Sequence, residues 1–189
     1  MKLVKMPKRI ENILKPTKAI ENLLKPRLVE KIDATDKEFL ELGIKLKEAV
    51  SKVFGRSLAI REVDTGSDNS PEIELINLIG PYYDVERFGI TFVASPRHAD
   101  ILLVTGPVTR NMAIALKKTY DAMPGPKWVV ALGDDACNGG IFKGSYAVLG
   151  GEGGVEMVLP VDVKIPGNPP APKEILRGLL SLAEKIKNQ

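Results

Sequence analysis

The chain carries at its centre the apolar run Ile101-Leu102-Leu103-Val104-Thr105, and the similar run Trp128-Val129-Val130-Ala131-Leu132 follows after one helical stretch. Strands that are apolar on both faces are typical of a parallel sheet, because right-handed crossover helices pack back over it on both sides. The two runs therefore predict an open α/β fold with a mainly parallel, flavodoxin-like sheet and helices on both faces. A length of 189 residues with 44% hydrophobic content suits one such domain with an extension.

Strands and helices alternate on either side of these two runs. We predict strands over residues 57–63 and 89–94, an extended run over 157–165, and helices within 33–53, 71–79, 111–123 and 172–187. Ligands of such sheets bind beyond the carboxyl ends of the strands, where the connecting loops meet. The loops after Val63, Leu132 and Ile165 are therefore expected to share one rim.

Motifs of an unusual kind fill these loops and one other. They read Asp-Thr-Gly-Ser-Asp-Asn-Ser-Pro-Glu-Ile-Glu at 64–74, Ser-Pro-Arg-His-Ala-Asp at 95–100, Gly-Asp-Asp-Ala-Cys-Asn-Gly-Gly at 133–140 and Pro-Gly-Asn-Pro-Pro at 166–170. Together they resemble the small subunit of membrane-bound group 4 nickel-iron hydrogenases and the homologous 20 kDa-type subunit of respiratory complex I, the NADH-quinone oxidoreductase. The resemblance extends over residues 57–182, and the wording of 106–109 is more similar to the hydrogenase branch.

The resemblance implies a 4Fe-4S cluster held by four cysteines, yet all four positions are changed in this chain. They are occupied by Asp68, Pro71, Asp135 and Asn168. Iron clusters require soft thiolate ligands, which carboxylate, amide and proline do not replace. Cys137 is the only cysteine and lies two positions beyond the expected ligand, so we expect it to be a core residue. The sequence therefore predicts that this chain binds no cluster and no other cofactor.

The aspartates of the loops allow a different interpretation. If Asp64, Asp68, Asp134 and Asp135 converged, their oxygens could hold a hard divalent cation, and the chain would be a free-standing metal-binding α/β protein. The same residues are also common turn formers, and this is the interpretation that we favour. An engineered electron-transfer subunit stripped of its cysteines would show the same replacements.

The amino-terminal region differs from the rest in charge and pattern. Residues 1 to 30 contain eight lysines and arginines against three glutamates, and the apolar pattern Ile-Glu-Asn-x-Leu-Lys-Pro occurs twice, at 10–16 and 20–26. We predict a basic docking arm over residues 1–32 that precedes the domain of residues 33–189. Such an arm suits a partner subunit or an anionic lipid surface, and a solvated leader is its alternative. No nucleic-acid partner is expected.

Other features concern the location of the protein. No run of about 18 or more apolar residues and no leader with a cleavage site is present, which predicts a soluble chain rather than a membrane-spanning one. The single glutamine, Gln189, with abundant Lys and Glu is typical of proteins from thermophiles, including archaea. Together with the resemblance, these features predict a peripheral protein on the cytoplasmic face of the cell membrane.

The resemblance also implies partners and a role. The family's small subunit docks against a large catalytic subunit and above integral membrane subunits that translocate ions. We therefore expect this chain to be a non-catalytic, structural subunit of a hydrogenase-like or complex I-like respiratory oxidoreductase. The interface candidates are Arg97, His98, Tyr82, Tyr83 and Glu74. Glu74 matches the family's glutamate after the cysteines, and a structural hydrogen bond is the expected role of His98, the only histidine.

Overall fold

The computed structural model describes residues 36–187 and contains a five-stranded sheet. The predicted docking arm, residues 1–32, lies outside the described residues. The helices are α1 (Lys37–Phe54), α2 (Ser70–Ile79), α3 (Met112–Ala122), the short α4 (Asp134–Asn138) and α5 (Pro172–Lys187). The strands are β1 (Leu58–Asp64), β2 (Ile90–Phe92), β3 (Ile101–Thr105), β4 (Trp128–Leu132) and β5 (Val163–Ile165).

The sheet has the strand order β2-β1-β3-β4-β5, and all its neighbouring strands are parallel. This order is that of flavodoxin-like folds, in which the chain first builds one side of the sheet and then crosses to the other. The predicted fold class is therefore confirmed. The two apolar runs form β3 and β4 at the predicted residues, and both strands lie inside the sheet.

Both faces of the sheet are buried, as the continuous apolar runs predict. Side chains of β3 alternate, so that Ile101 and Leu103 belong to one core while Leu102 and Val104 belong to the other. The first core is covered by α1, α2 and α5, and the second by α3, α4 and the segment that follows α4. Because each strand residue is buried on one side or the other, the strands carry almost no polar positions.

One predicted element is shorter than expected. Of the extended run 157–165, only Val163–Ile165 pairs with the sheet, and Val155–Met157 forms a turn of 3-10 helix. Pro160 has no amide proton for a strand ladder, which favours a late start of the strand. Val155 and Leu159 are instead buried in the second core. The segment is therefore a packed connection, and β5 keeps only its last three residues.

Candidate functional site

The carboxyl ends of four strands lie side by side and form one rim. Asp64 of β1 pairs in register with Thr105 of β3, Thr105 with Leu132 of β4, and Leu132 with Ile165 of β5. The three loops expected at this rim, after β1, β4 and β5, therefore start at the same level. The loop after β3 starts beside them, although the sequence motifs did not predict its place in the rim.

The loop after β1 is tied to the loop after β3. The hydroxyl of Thr65 lies 2.8 Å from the carbonyl of Thr105, and the hydroxyl of Thr109 donates to the carbonyl of Thr65 at 2.9 Å. Gly106 has a φ of 70°, and any side chain there would overlap the backbone of Ser67. Glycine is thus required for this close approach of two loops.

The loops after β4 and β5 are joined by a pair of hydrogen bonds. The amide of Asp134 donates to the carbonyl of Gly167, and the amide of Gly167 donates to Oδ1 of Asp134, both at 2.9 Å. Pro71 reaches this pair from the first loop, because a methyl group built on Gly133 would lie 3.8 Å from Pro71 Cγ. Three of the motif-bearing loops therefore meet at the rim.

Asp68 and Asn168, two of the four changed positions, lie on the exposed side of this meeting point. Oδ1 of Asp68 accepts hydrogen bonds from the amide of Ser70 at 2.9 Å and from its hydroxyl at 2.6 Å. These bonds to Ser70 lower the pKa of Asp68 below the ordinary carboxyl value. The same hydroxyl lies 3.2 Å from Oδ1 of Asn168. Ser70 therefore connects two of the four positions, which lie 100 residues apart in sequence.

Pro71 and Asp135 occupy the buried side. Pro71 begins the first turn of α2, where its fixed φ suits the helix and its missing amide proton is not needed. Asp135 is only 4% exposed, and its Oδ1 has no hydrogen-bond partner among residues 36–187. Burial raises the pKa of Asp135, an effect that a hydrogen bond from the Ile141 amide partly offsets, and the charges of Asp68, Asp134 and Glu72 raise it further.

These four side chains do not suit an iron-sulfur cluster. The donor set contains two carboxylates, one amide and a proline ring, with no sulfur, and the Asp68 carboxylate is engaged by Ser70. Iron clusters are bound by thiolates whose charge balances that of the iron. The rim thus retains loops that meet, while the chemistry of the side chains is that of turns.

Cys137 does not supply the missing sulfur. It is buried in the second core, where its Sγ lies 3.7 Å from the carbonyl of Ala131. Burial raises the pKa of its thiol to about 11, so at neutral pH the group is a thiol rather than a thiolate. The expectation that Cys137 is a core residue is therefore confirmed.

The aspartates of the rim act on the backbone. Oδ1 of Asp64 accepts the amides of Gly66 and Ser67, each at 2.7 Å, and Oδ1 of Asp134 accepts the amide of Gly167. Within residues 36–187, no group of three or more His, Cys, Asp or Glu side chains is placed to hold a metal ion. This geometry supports turn formation by the aspartates over the alternative of a divalent-cation site.

The interface candidates are dispersed around the fold. Tyr82 is 59% exposed and its ring contacts that of Tyr83, which in turn packs against Phe39 of the first core. Arg97 and His98 are exposed on a short turn that contacts α3. The side chain of His98 has no hydrogen-bond partner in the described part of the chain, so the structural hydrogen bond expected of it is not found there.

The structure also shows buried charged groups that sequence reasoning missed. Arg61 and Glu62 lie within β1, and Glu72 lies in the first turn of α2, beside Pro71. Both carboxylate oxygens of Glu72 are buried, whereas the predicted Glu74 is not among the groups with buried polar atoms. Two charged residues inside the otherwise apolar stretch Leu-Ala-Ile-Arg-Glu-Val were the available signal.

In residues 36–187, no helix is both long and apolar enough to cross a membrane.

Comparison with known proteins agrees with the fold and the motifs. The chain is 48% identical over 130 residues to an uncharacterized protein of Methanocaldococcus jannaschii, which covers 69% of this chain and 85% of that protein. It is 48% identical over 117 residues to an NADH-quinone oxidoreductase subunit of Citrifermentans bemidjiense, which covers 62% of this chain and 66% of that protein.

A solved structure and a family description match the same region. A chain of the membrane-bound sulfane sulfur reductase, an archaeal respiratory membrane complex, superposes with a TM-score of 0.63 at 34% identity and covers 76% of each chain. The model of the NADH ubiquinone oxidoreductase 20 kDa subunit matches residues 69–182, a segment that includes three of the four changed positions. The chain belongs to the family of the NADH ubiquinone oxidoreductase 20 kDa subunit.

Proposed function

We propose that this chain is a structural subunit of a membrane-bound respiratory oxidoreductase of the hydrogenase-like or complex I-like kind. It connects a large catalytic-type subunit to the integral membrane subunits that translocate ions, and it has lost its own iron-sulfur cluster. The family membership and the named relatives support the type of complex. One observation supports the loss: the loops of the rim still meet, but they contain no sulfur, and Cys137 is buried in the core.

The location and the docking arm are part of the proposal. The domain lies on the cytoplasmic face of the membrane as a peripheral subunit, and the basic residues 1–32 bind a neighbouring subunit or anionic lipid. The charge of the first 30 residues supports this placement, because lysine and arginine are attracted to anionic headgroups. An archaeal or thermophilic source is a further element of the proposal.

Cofactor loss is tested on the full-length chain purified alone under anaerobic conditions. After incubation with iron and sulfide, we expect a colourless protein whose iron content equals that of a buffer control, and no cubane signal in electron paramagnetic resonance after reduction. A brown protein with stoichiometric iron would contradict the loss. A monomer that binds a divalent cation tightly would instead support the free-standing metal protein.

Assembly is tested on the tagged full-length chain expressed in its native host. Purification from gently solubilised membranes should recover a large hydrogenase-like subunit and polytopic membrane proteins in fixed ratios. A tagged chain recovered from the soluble fraction without these proteins would contradict the connecting role. The native gene sequence at codons 68, 71, 135 and 168 distinguishes natural loss of the cysteines from an engineered change.

A further inference from the structure

A cavity of about 370 Å³ lies beside the rim, between β1, α2 and the segment that follows β2. Its wall is mainly apolar and includes Ile76, Ile79 and Phe92. Three charged residues, Arg61, Glu62 and Glu72, also line it. The cavity is therefore an apolar recess with acidic groups, and it lies apart from the four changed positions.

The acidic groups of the cavity are not neutralised within the described fold. Both carboxylate oxygens of Glu72 are buried and have no hydrogen-bond partner among residues 36–187. Arg61 does not bind Glu72, and its own buried Nε is likewise without a partner there. A buried carboxylate with neither a hydrogen bond nor an ion pair carries a large desolvation cost. Such a group is expected to have its partner outside this part of the chain.

Glu62 adds to the excess of negative charge. Its carboxylate accepts a hydrogen bond from the Thr105 hydroxyl at 3.2 Å. Burial raises the pKa of Glu62 despite this bond, and the charges of Glu72 and Asp64 raise it further, while Arg61 lowers it. The ion pairs seen in residues 36–187 all lie elsewhere, for example between Arg56 and Asp100. The cavity is thus complementary to a cation.

The outer side of α2 continues the cavity wall onto the surface. Ile73, Ile76 and Ile79 recur every three residues, and they are 50%, 66% and 39% exposed. Residues with this spacing lie on one side of a helix, so the three side chains form an isoleucine stripe. An apolar stripe next to an acidic recess matches an arginine or lysine, whose aliphatic stem packs on isoleucine while its charged end pairs with carboxylate.

We propose that the cavity receives an arginine or lysine side chain of the large hydrogenase-like subunit, which pairs with Glu72 and Glu62 while the isoleucine stripe packs around its stem. This inference rests on the proposed function and names the surface through which the docking occurs. A buried ion pair surrounded by apolar contacts is the type of contact that dominates the energy of protein interfaces. Glu72 is then stabilised in the complex and costly in the isolated chain.

The first test measures how much large subunit remains bound to the tagged full-length chain after washes of increasing salt. Glu72→Lys places a like charge against the incoming cation, and we expect at least about a tenfold loss of retained large subunit. Asp121→Lys is the matched control, since it makes the same charge change at an exposed position on α3, which covers the opposite face of the sheet. This control should retain the large subunit like the wild type.

The second measurement separates docking from folding. In the isolated chain, Glu72→Gln removes an unpaired buried charge, so its melting temperature should equal or exceed that of the wild type while its retention of the large subunit falls. A lower melting temperature would contradict the inference, because Glu72 would then have a partner within its own chain. Equal retention by Glu72→Lys and Asp121→Lys would contradict it as well.

A third measurement identifies the partner directly. In the assembled complex, Ile76→Cys carrying a benzophenone maleimide should cross-link to a large-subunit peptide that contains arginine or lysine. The label is selective because Cys137 is buried and its thiol has a raised pKa. Cross-linking to a different subunit would contradict the inference alone. Absence of any large subunit from the wild-type preparation would contradict the proposed function itself.

Discussion

Asp135 is the changed position at which the replacement costs the fold free energy. Asp68 is exposed and its carboxylate is satisfied by Ser70, whereas Asp135 is buried with one oxygen unpaired. Gly140 packs so close to that oxygen that any side chain at position 140 would overlap it. Relaxation around Asp135 is therefore restricted, and its charge remains in an unfavourable environment.

We predict that Asp135→Asn stabilises the isolated chain at pH 7. The pKa of Asp135 is raised in the folded state, so the folded chain holds the proton more tightly than the unfolded chain, and the free energy of unfolding falls as pH rises above the ordinary carboxyl range. Removing the charge should raise the free energy of unfolding by about 1 kcal/mol and the melting temperature by about 2 to 4 °C.

This gain should shrink toward zero as the pH falls to about 3.5, where Asp135 is protonated in both states. Thermal unfolding followed by circular dichroism at several pH values provides the measurement. Asp121→Asn, at an exposed position, serves as the control and should show no such pH-dependent difference. A destabilised Asp135→Asn chain at pH 7 would mean that the carboxylate has a cation partner.

Sequence reasoning found the changed residues but not their surroundings. The motifs identified Asp68, Pro71, Asp135 and Asn168 because their loops resemble a family pattern, whereas Glu72 sits next to Pro71 and follows no pattern. Whether a carboxylate is paired depends on side-chain packing between α2 and β1, which are separate in sequence. The burial of Cys137, in contrast, was predictable because a lone cysteine with no basic neighbour is usually a small core residue.

At the level of elements, α1 and α5 pack against each other across the first core. Gly43 lets the ring of Phe88 lie directly on α1, and Gly178 of α5 does the same for Ile165 of β5. Phe88 is buried and contacts Phe39 edge to face, with ring centroids 6.0 Å apart. Each helix thus uses a glycine to bring a large side chain close to its backbone.

We predict that Gly43→Ala destabilises the fold by about 1 to 3 kcal/mol, because the added methyl group would overlap the Phe88 ring. This loss exceeds the gain of about 1 kcal/mol that alanine normally gives within a helix. Urea unfolding measures the change, and Ser51→Ala at an exposed position of the same helix is the control. If Phe88→Leu relieves part of the loss in a double-mutant cycle, the overlap is its cause; a stabilised Gly43→Ala would contradict it.

Most elements were predictable because periodicity and punctuation agree in this chain. The bounds of β3, β4 and α5 match the prediction, since apolar runs and a closing amphipathic pattern define them locally. The run at 155–165 failed because its hydrophobic residues pack into the second core instead of pairing with β4. The five-residue α4 was also missed, since its capping Gly133 and Gly139 give a turn signal rather than a helical period.

At the scale of the whole molecule, parallel register brings loops from distant parts of the chain to one rim. Asp68 and Asn168 are connected through Ser70, and Pro71 approaches Gly133 and Gly167. The sequence predicted the convergence of the loops after β1, β4 and β5, because parallel strands end at one edge. It did not predict which side chains are exposed and which are buried, since that depends on how the loops turn inward.

We predict that the combined change Asp68→Cys, Pro71→Cys, Asp135→Cys and Asn168→Cys restores cluster binding. Anaerobic reconstitution should give about four iron atoms per chain and a cubane signal on reduction, because four thiolates would then surround one point of the rim. The variant that retains Asp135 and carries the other three changes is the control and should hold less iron. Iron content no higher than that of the wild type would show that the loops no longer surround a volume of cluster size.

The two outer strands of the sheet, β2 and β5, are each only three residues long. Long, flat border strands offer rows of unpaired amides and carbonyls to another molecule, and short ones leave few such groups. Edge-to-edge growth into fibrils is therefore disfavoured for this domain, even when its usual companions are scarce. A surplus of free chain in the cell would be tolerated as dispersed molecules.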